Sequence, residues 1–219
     1  GISVFHTGGQ FNLLLLHIPT KRTRFFKKIQ KMLTQFVMKI LIDNNIIKET
    51  EYEIIHYGLS GIFSTFCGFI TTFLIGFFFN CLLESIYFTI IFFFLRIYAG
   101  GYHAETPTKC YFISVGISFF NFAIVEKISW NPFFLTVLLI ISSIIIFMAP
   151  VDNINKSLNL VEKKIYQEKS RIIVSILMVL YIIFFFFENS QLCWCISIAC
   201  TNSCALLIIG YIKNLLIKK

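Results

Sequence analysis

The chain has 219 residues, of which 57% are hydrophobic and only 14% are charged, and its mean hydropathy is +0.80. A soluble domain is about 45–50% apolar and about 25% charged, so one soluble core of this size could not hide so much apolar surface. The composition predicts an all-α, polytopic membrane protein. The formal net charge is +8, yet no basic soluble region stands apart from the apolar segments. We therefore expect no nucleic-acid partner.

The N-terminal part divides into two segments. Residues 1–20 stay unassigned, because their apolar run is too short to span a bilayer and lacks the order of a signal peptide. In residues 21–41, apolar side chains recur every three to four positions with lysines between them. This pattern predicts a basic amphipathic helix in the membrane interface, although packing against the rest of the chain would give the same pattern. We assign 21–50 to this helical region and 51–219 to a membrane domain.

Six apolar segments follow, and each is interpreted as a transmembrane helix. The second, third and fifth are short for a bilayer, which favours about 17–25 residues per helix. The stretch 151–171 between the fourth and the fifth is predicted to be a polar basic loop, in part helical. The six segments are 57–79, 82–99, 110–126, 132–150, 172–187 and 191–212.

The basic residues predict the orientation. If all six segments cross the bilayer, every Lys and Arg except Lys127 lies on one side. Positive charge is retained on the cytoplasmic side of membranes. Both termini and the loop after the second segment are therefore predicted to be cytoplasmic, in a multi-pass membrane protein.

The seven cysteines do not indicate a disulfide framework, because their number is odd and they are not set in a short, loop-rich chain. The last four lie in one apolar run without a histidine, which makes a zinc site an unfavourable interpretation. We interpret them as free thiols packed in a helix: Cys193, Cys195, Cys200 and Cys204. We expect no metal ion and no cofactor.

The stretch RIYAGGYHAETPTKC, residues 96–110, interrupts the apolar pattern and carries the candidate chemistry. On a continuous helix His103 and Cys110 would stand about 10 Å apart along the axis. A catalytic hydrogen bond needs about 3 Å, so the helix must be broken here. Gly100 and Gly101 permit an irregular backbone, and the later proline disfavours a helix just before it.

A new helix is predicted to begin after the glycines. Thr106 would cap it and Pro107 would take its first position. Cys110 then lies at the end of the first turn, where the helix dipole and neighbouring Lys109 favour a thiolate. His103 would lie in the preceding loop, free to approach the thiol as a general base. A buried cysteine and an interfacial histidine would be the structural alternative.

The pattern R-x-x-x-G-G-x-H-A-x-x-x-x-x-C resembles the signature of the accessory gene regulator protein B (AgrB) family. These are membrane cysteine endopeptidases of quorum sensing in Gram-positive bacteria. The stretch APVDNINKSL, residues 149–158, resembles the family's Ala-Pro and the polar loop that follows it. The resemblance covers roughly residues 25–215.

The resemblance implies that the protein removes the C-terminal part of an AgrD-like precursor signal peptide and promotes its cyclisation to a thiolactone or lactone. By motif position Cys110 is the nucleophile and His103 the general base. A homodimer in the lipid bilayer is also implied. Further candidates for shaping the site or binding the substrate are Arg96, Gly100, Gly101, Lys109, Asp152 and Lys156. No third catalytic residue is apparent, since Glu105 and Asp152 are better explained as solvated loop residues.

Two other functions remain open from the sequence. One is a peptide transporter or exporter without chemistry, which the polytopic helical fold supports, although the first four segments contain no well-centred charged pair of the kind that marks a translocation path. A membrane thiol acyltransferase would use the same nucleophile with a different acceptor. The fate of a cognate precursor distinguishes the three.

Overall fold

The computed structural model describes residues 21–44, 46–47, 49–102, 104, 106–125, 131–147, 149–150 and 159–217. Within these ranges the chain is almost entirely helical and contains no strand, which confirms the predicted all-α fold. A short 3₁₀ turn, Glu49–Glu51, leads into the second helix. The α-helices are α1 (Lys21–Asp43), α2 (Tyr52–Phe78), α3 (Leu82–Ala99), α4 (Pro107–Val125), α5 (Pro132–Phe147), α6 (Leu160–Phe186) and α7 (Ser190–Ile217).

A helix stands at each of the six predicted apolar segments. Four of them, α2, α3, α6 and α7, are long and apolar enough to cross a bilayer. The apolar part of α5, Leu135–Phe147, is shorter, and α4 is not among the four. The structure therefore confirms a polytopic helical membrane protein, while the number of six crossings stays a prediction.

Helix α6 begins inside the stretch 151–171, which the sequence predicted to be a polar loop that is in part helical; the helical part starts at Leu160. The side-chain oxygen of Asn159 accepts a hydrogen bond from the N–H of Leu160 (2.8 Å), and Glu162 accepts one from the N–H of Asn159 (3.0 Å). This capping box satisfies backbone donors at the helix start. The polar turns up to Arg171 are thus helical and precede the apolar part of α6.

The chain divides into two compact units, residues 1–60 and residues 61–219. In the first, the Gln30 side chain donates hydrogen bonds to the carbonyl (2.9 Å) and the hydroxyl (2.8 Å) of Ser60. One stripe of α1, formed by Gln30, Thr34 and Met38, is buried. Apolar side chains of α1 remain exposed, as a helix in the membrane interface requires: Met32, Leu33, Phe36 and Ile40.

The second unit is organised around α7, which packs against α3, α5 and α6. Phe122 of α4 is fully buried and contacts Phe88 and Trp194, with ring centroids 5.8 Å and 6.1 Å away. The outward faces of the long helices carry many exposed Phe, Ile and Leu side chains, which suits contact with lipid. Helices α2 and α4 approach their neighbours less closely, and a cavity lies between them and α3.

Candidate active site at the start of helix α4

The loop after α3 is held by an arginine of the helix that precedes it. The Arg96 guanidinium donates one hydrogen bond to the carbonyl of Gly100 (2.6 Å) and another to the carbonyl of Tyr102. Both glycines of the loop have positive φ, 71° at Gly100 and 102° at Gly101, which side chains rarely permit. The last turn of α3 and the loop are therefore tied together by one planar, forked donor.

Helix α7 supports the same loop from the other side. The N–H of Tyr102 donates to the carbonyl of Leu206 (2.8 Å). A Cβ at Gly101 would lie 2.9 Å from that carbonyl oxygen, and a Cβ at Gly210 would lie 2.6 Å from the Tyr102 nitrogen. Glycine is thus required on both sides of this contact, because only two bare backbones can approach so closely.

Helix α4 begins as the sequence predicted. The hydroxyl of Thr106 accepts a hydrogen bond from the N–H of Lys109 (3.3 Å), which is an N-cap, and Pro107 is the first helical residue. The N–H of Cys110 donates to the carbonyl of Thr106 (3.1 Å). The carbonyl of Pro107 accepts a hydrogen bond from the Ser64 hydroxyl of α2 (2.8 Å). Cys110 is half-buried in this first turn.

Cys110 and Arg96 share the wall of one cavity of about 410 Å³ between α2, α3 and α4. Their side chains are close enough to interact electrostatically. Cys110 lies in the first turn of α4, at the end where the helix dipole is positive. The cavity lies wholly within residues 64–118, that is, inside the second unit.

The predicted site residues divide into two groups. The structure brings Cys110 and Arg96 together, with Gly100 and Gly101 forming the turn beneath them, and it leaves the Lys109 side chain exposed beside Cys110. His103, Glu105, Asp152 and Lys156 lie outside the described residues, so their roles stay predictions. From the second motif, Ala149 and Pro150 are buried.

Sequence reasoning missed two parts of the site. The first is the hydroxyl-bearing face of α2, where Ser64, Thr65 and Thr72 line the cavity. Ser64 and Thr65 are adjacent, and Thr72 lies about two helical turns further along α2, which was a readable signal that they share one side of the helix. The second is the support from Leu206 and Gly210 of α7, which no local pattern could indicate, because the contact joins residues about a hundred positions apart.

The other cysteines do not extend the site. All seven are free thiols, and the four in α7 are buried, as interpreted from the sequence. In the described part of the chain, no group of three His, Cys, Asp or Glu side chains is placed to hold a metal ion. Cys67 is half-buried on α2 and does not line the cavity.

Fold and site define a class: a multi-pass helical membrane protein with a cysteine at the capped start of a helix, beside a cavity within the helix bundle. The sequence profile of the family Accessory gene regulator B matches residues 31–210. The chain therefore belongs to the AgrB family.

Two relatives come from Clostridium perfringens. The protein named "Putative AgrB-like protein" of strain SM101 is 30% identical over 138 residues. The one named "Putative AgrB-like protein 2" of strain 13 is 31% identical over 143 residues. Each match covers 57% of this chain and 64% of the relative, so the chain spans less than two thirds of their length. No solved structure matches the chain.

Proposed function

We propose that this protein is a membrane cysteine endopeptidase that cuts an AgrD-like precursor peptide and leaves its N-terminal part as a cyclic thiolactone or lactone. The observation that carries the proposal is the position of Cys110 in the first turn of a capped helix, in a cavity wall shared with Arg96. Membership of the AgrB family supports a role in processing this precursor.

The first chemical step is cleavage. The Cys110 thiol transfers its proton to the imidazole of His103, and the sulfur attacks the scissile carbonyl carbon. The C–N bond breaks as the imidazolium returns the proton to the leaving amine. The C-terminal fragment departs, and the N-terminal part stays on Cys110 as a thioester.

The second step closes the ring. A Cys or Ser side chain within the precursor gives its proton to His103 and attacks the thioester carbonyl. The bond to the Cys110 sulfur breaks, and that sulfur recovers the proton. A thiolactone replaces one C–S bond by another, so no oxidant or energy source is required. The step requires that water be kept from the thioester, which the apolar walls of the cavity favour.

Arg96 contributes to both steps as a positioning residue. It holds the carbonyls on either side of Gly101 and so fixes the backbone that leads into His103. The N–H groups of Tyr102, Lys109 and Cys110 already donate within the chain. An oxyanion would therefore be stabilised by donors other than these three.

The test is a cleavage assay with the protein in liposomes and its cognate precursor, followed by mass spectrometry. The wild type is expected to release the tail and to yield a ring-closed product, and Cys110→Ala is expected to abolish both. Cys67→Ala is the matched control, because Cys67 is the other half-buried thiol and lies off the cavity. Its activity is expected to equal that of the wild type.

The outcomes also separate the alternative functions. An exporter without chemistry would move the precursor with its mass unchanged. A thiol acyltransferase would place the acyl group on a lipid or another protein instead of closing a ring. Cleavage that persists in Cys110→Ala would contradict the assignment of the nucleophile.

A further inference from the structure

The cavity extends from Cys110 into the helix bundle. Its lining on α4 runs from Cys110 to Ser118, which corresponds to about 12 Å of helix. On α2 the lining runs from Ser64, which is hydrogen-bonded to the start of α4, to Thr72, which is hydrogen-bonded to Ser118. Cys110 therefore lies at one end of the lining, and Thr72 and Ser118 lie at the other. The cavity thus begins beside the residue that would carry the acyl group and continues along three helices.

We infer that this cavity is the acyl pocket: it receives the side chain of the precursor residue whose carbonyl carbon Cys110 attacks, and it selects a large apolar side chain. The inference rests on the proposed function, since it assigns the acyl group of the thioester. The volume, about 410 Å³, falls near the lower end of small-molecule sites, which span about 300–1,000 Å³. It suits one or a few side chains and not a folded partner.

The walls of the acyl pocket are aromatic. Phe69 of α2 and Phe93 of α3 meet edge to face, with centroids 5.3 Å apart. Phe88 and Phe92 stack at 5.5 Å and line the same cavity. Such rings offer a large apolar contact area to an aliphatic or aromatic side chain.

Five hydroxyl-bearing residues of the lining do not call for a polar ligand, because their hydroxyl groups are already hydrogen-bonded: Ser64, Thr65, Thr72, Thr89 and Ser118. Ser64 donates to the Pro107 carbonyl (2.8 Å), Thr65 to that of Gly61 (3.0 Å) and Thr89 to that of Ser85 (2.6 Å). The hydroxyls of Thr72 and Ser118 bond each other (3.1 Å). An apolar side chain can thus lie against these hydroxyl groups without breaking one of their hydrogen bonds.

The charges of the lining residues indicate which side of the scissile bond enters the acyl pocket. Arg96, near Cys110 at the mouth, is the charged side chain among the described lining residues, and the deeper walls are Phe, Ile, Ser and Thr. A charged segment placed deeper would lose its hydration without a partner. The acyl part is bound to the sulfur and enters; a charged leaving segment stays outside.

Gly68 offers a way to fill the pocket. It lines the cavity on α2, and a Cβ added there meets no atom within 4 Å, so Gly68→Leu would project into the pocket. Gly116 on α4 has the same open space but does not line the cavity. Gly116→Leu is therefore the matched control, with the same substitution in a helix of the same unit.

The experiment compares single-turnover cleavage in liposomes of the cognate precursor and of versions with Ala or Asp at the residue attacked. The wild type is expected to prefer a large apolar residue over Ala by about 10-fold or more, and to reject Asp. Gly68→Leu is expected to reduce or reverse the preference for the large residue over Ala, whereas Gly116→Leu keeps it. Phe69→Ala, which enlarges the pocket, is expected to shift preference towards a still larger residue such as Trp.

Failure of the inference differs from failure of the proposed function. If cleavage depends on Cys110 but Gly68→Leu and Phe69→Ala leave the relative rates of the precursors unchanged, the acyl pocket lies elsewhere. If cleavage survives Cys110→Ala, the proposed function itself is wrong. Because relative rates within one variant are compared, a lower amount of folded Gly68→Leu protein does not alter the readout.

Discussion

Arg96 shows how one side chain can organise a site without taking part in bond changes. Its fork reaches the carbonyls of Gly100 and Tyr102, which lie on the two sides of Gly101. The sequence marked Arg96 and both glycines as site residues. It could not show the two carbonyl contacts, because these depend on where the chain turns after α3 and on the backbone of α7 beneath it.

We predict that Arg96→Lys lowers kcat/KM for precursor cleavage by about 10-fold or more, since a lysine cannot hold both carbonyls and a hydrogen bond to a charged group is worth about 1.5–3 kcal/mol. The rate of Cys110 alkylation by a small maleimide should change as well. The substitution keeps the positive charge but changes its position near the sulfur, and it changes the loop. Arg171→Lys, at an exposed arginine of α6, is the control and should leave both rates unchanged. If Arg96→Lys cleaved the precursor and reacted with the maleimide at wild-type rates, the proposed positioning role of Arg96 would be contradicted.

At the scale of the element, the candidate site depends most on the start of α4, because Cys110 lies in its first turn. Its first turn was predicted from the short stretch GGYHAETPTKC, because a cap, a first-turn proline and the preceding glycines are local signals. The stretch 151–171 was predicted to be in part helical, but the exact start of α6 was not predicted, although Asn159 and Glu162 have capping-box spacing. The acyl pocket could not be predicted, since it exists only where three helices pack.

We predict that Thr106→Ala destabilises the protein by about 1 kcal/mol through loss of the N-cap, and that Thr106→Ser restores most of this. Thermal unfolding in detergent measures the difference as a shift in Tm. The alanine variant should also cleave the precursor more slowly, because Cys110 lies in the turn that frays. Equal Tm values for Ala, Ser and Thr would show that the cap does not stabilise α4.

At the scale of the whole molecule, the exposed apolar faces of the long helices and the family membership indicate a multi-pass membrane protein. Composition alone was sufficient for this conclusion. Orientation rests on the charges: eighteen of the 19 Lys and Arg fall on one side if all six helices cross. The homodimer implied by the family resemblance remains a prediction.

We predict that a fluorescent protein fused after Lys219 is fluorescent in bacterial cells, whereas alkaline phosphatase fused there is inactive, because the distribution of Lys and Arg predicts a cytoplasmic C-terminus. The same reporters inserted between α6 and α7, next to Asn189, should give the opposite result. Reporters that agree at both places would show that α7 does not cross the membrane, and a reversal at both would invert the orientation.

The central claim is that the Cys110 sulfur carries the acyl group, and trapping that group tests it most directly. The precursor would have its ring-closing Cys or Ser replaced by Ala, so that the thioester cannot be consumed by cyclisation. After an acid quench and digestion, mass spectrometry should find the N-terminal part of the precursor on the peptide that contains Cys110, and hydroxylamine should release it. Release of the tail at the wild-type rate by Cys110→Ala, with no acyl group on Cys110 in the wild type, would contradict the account.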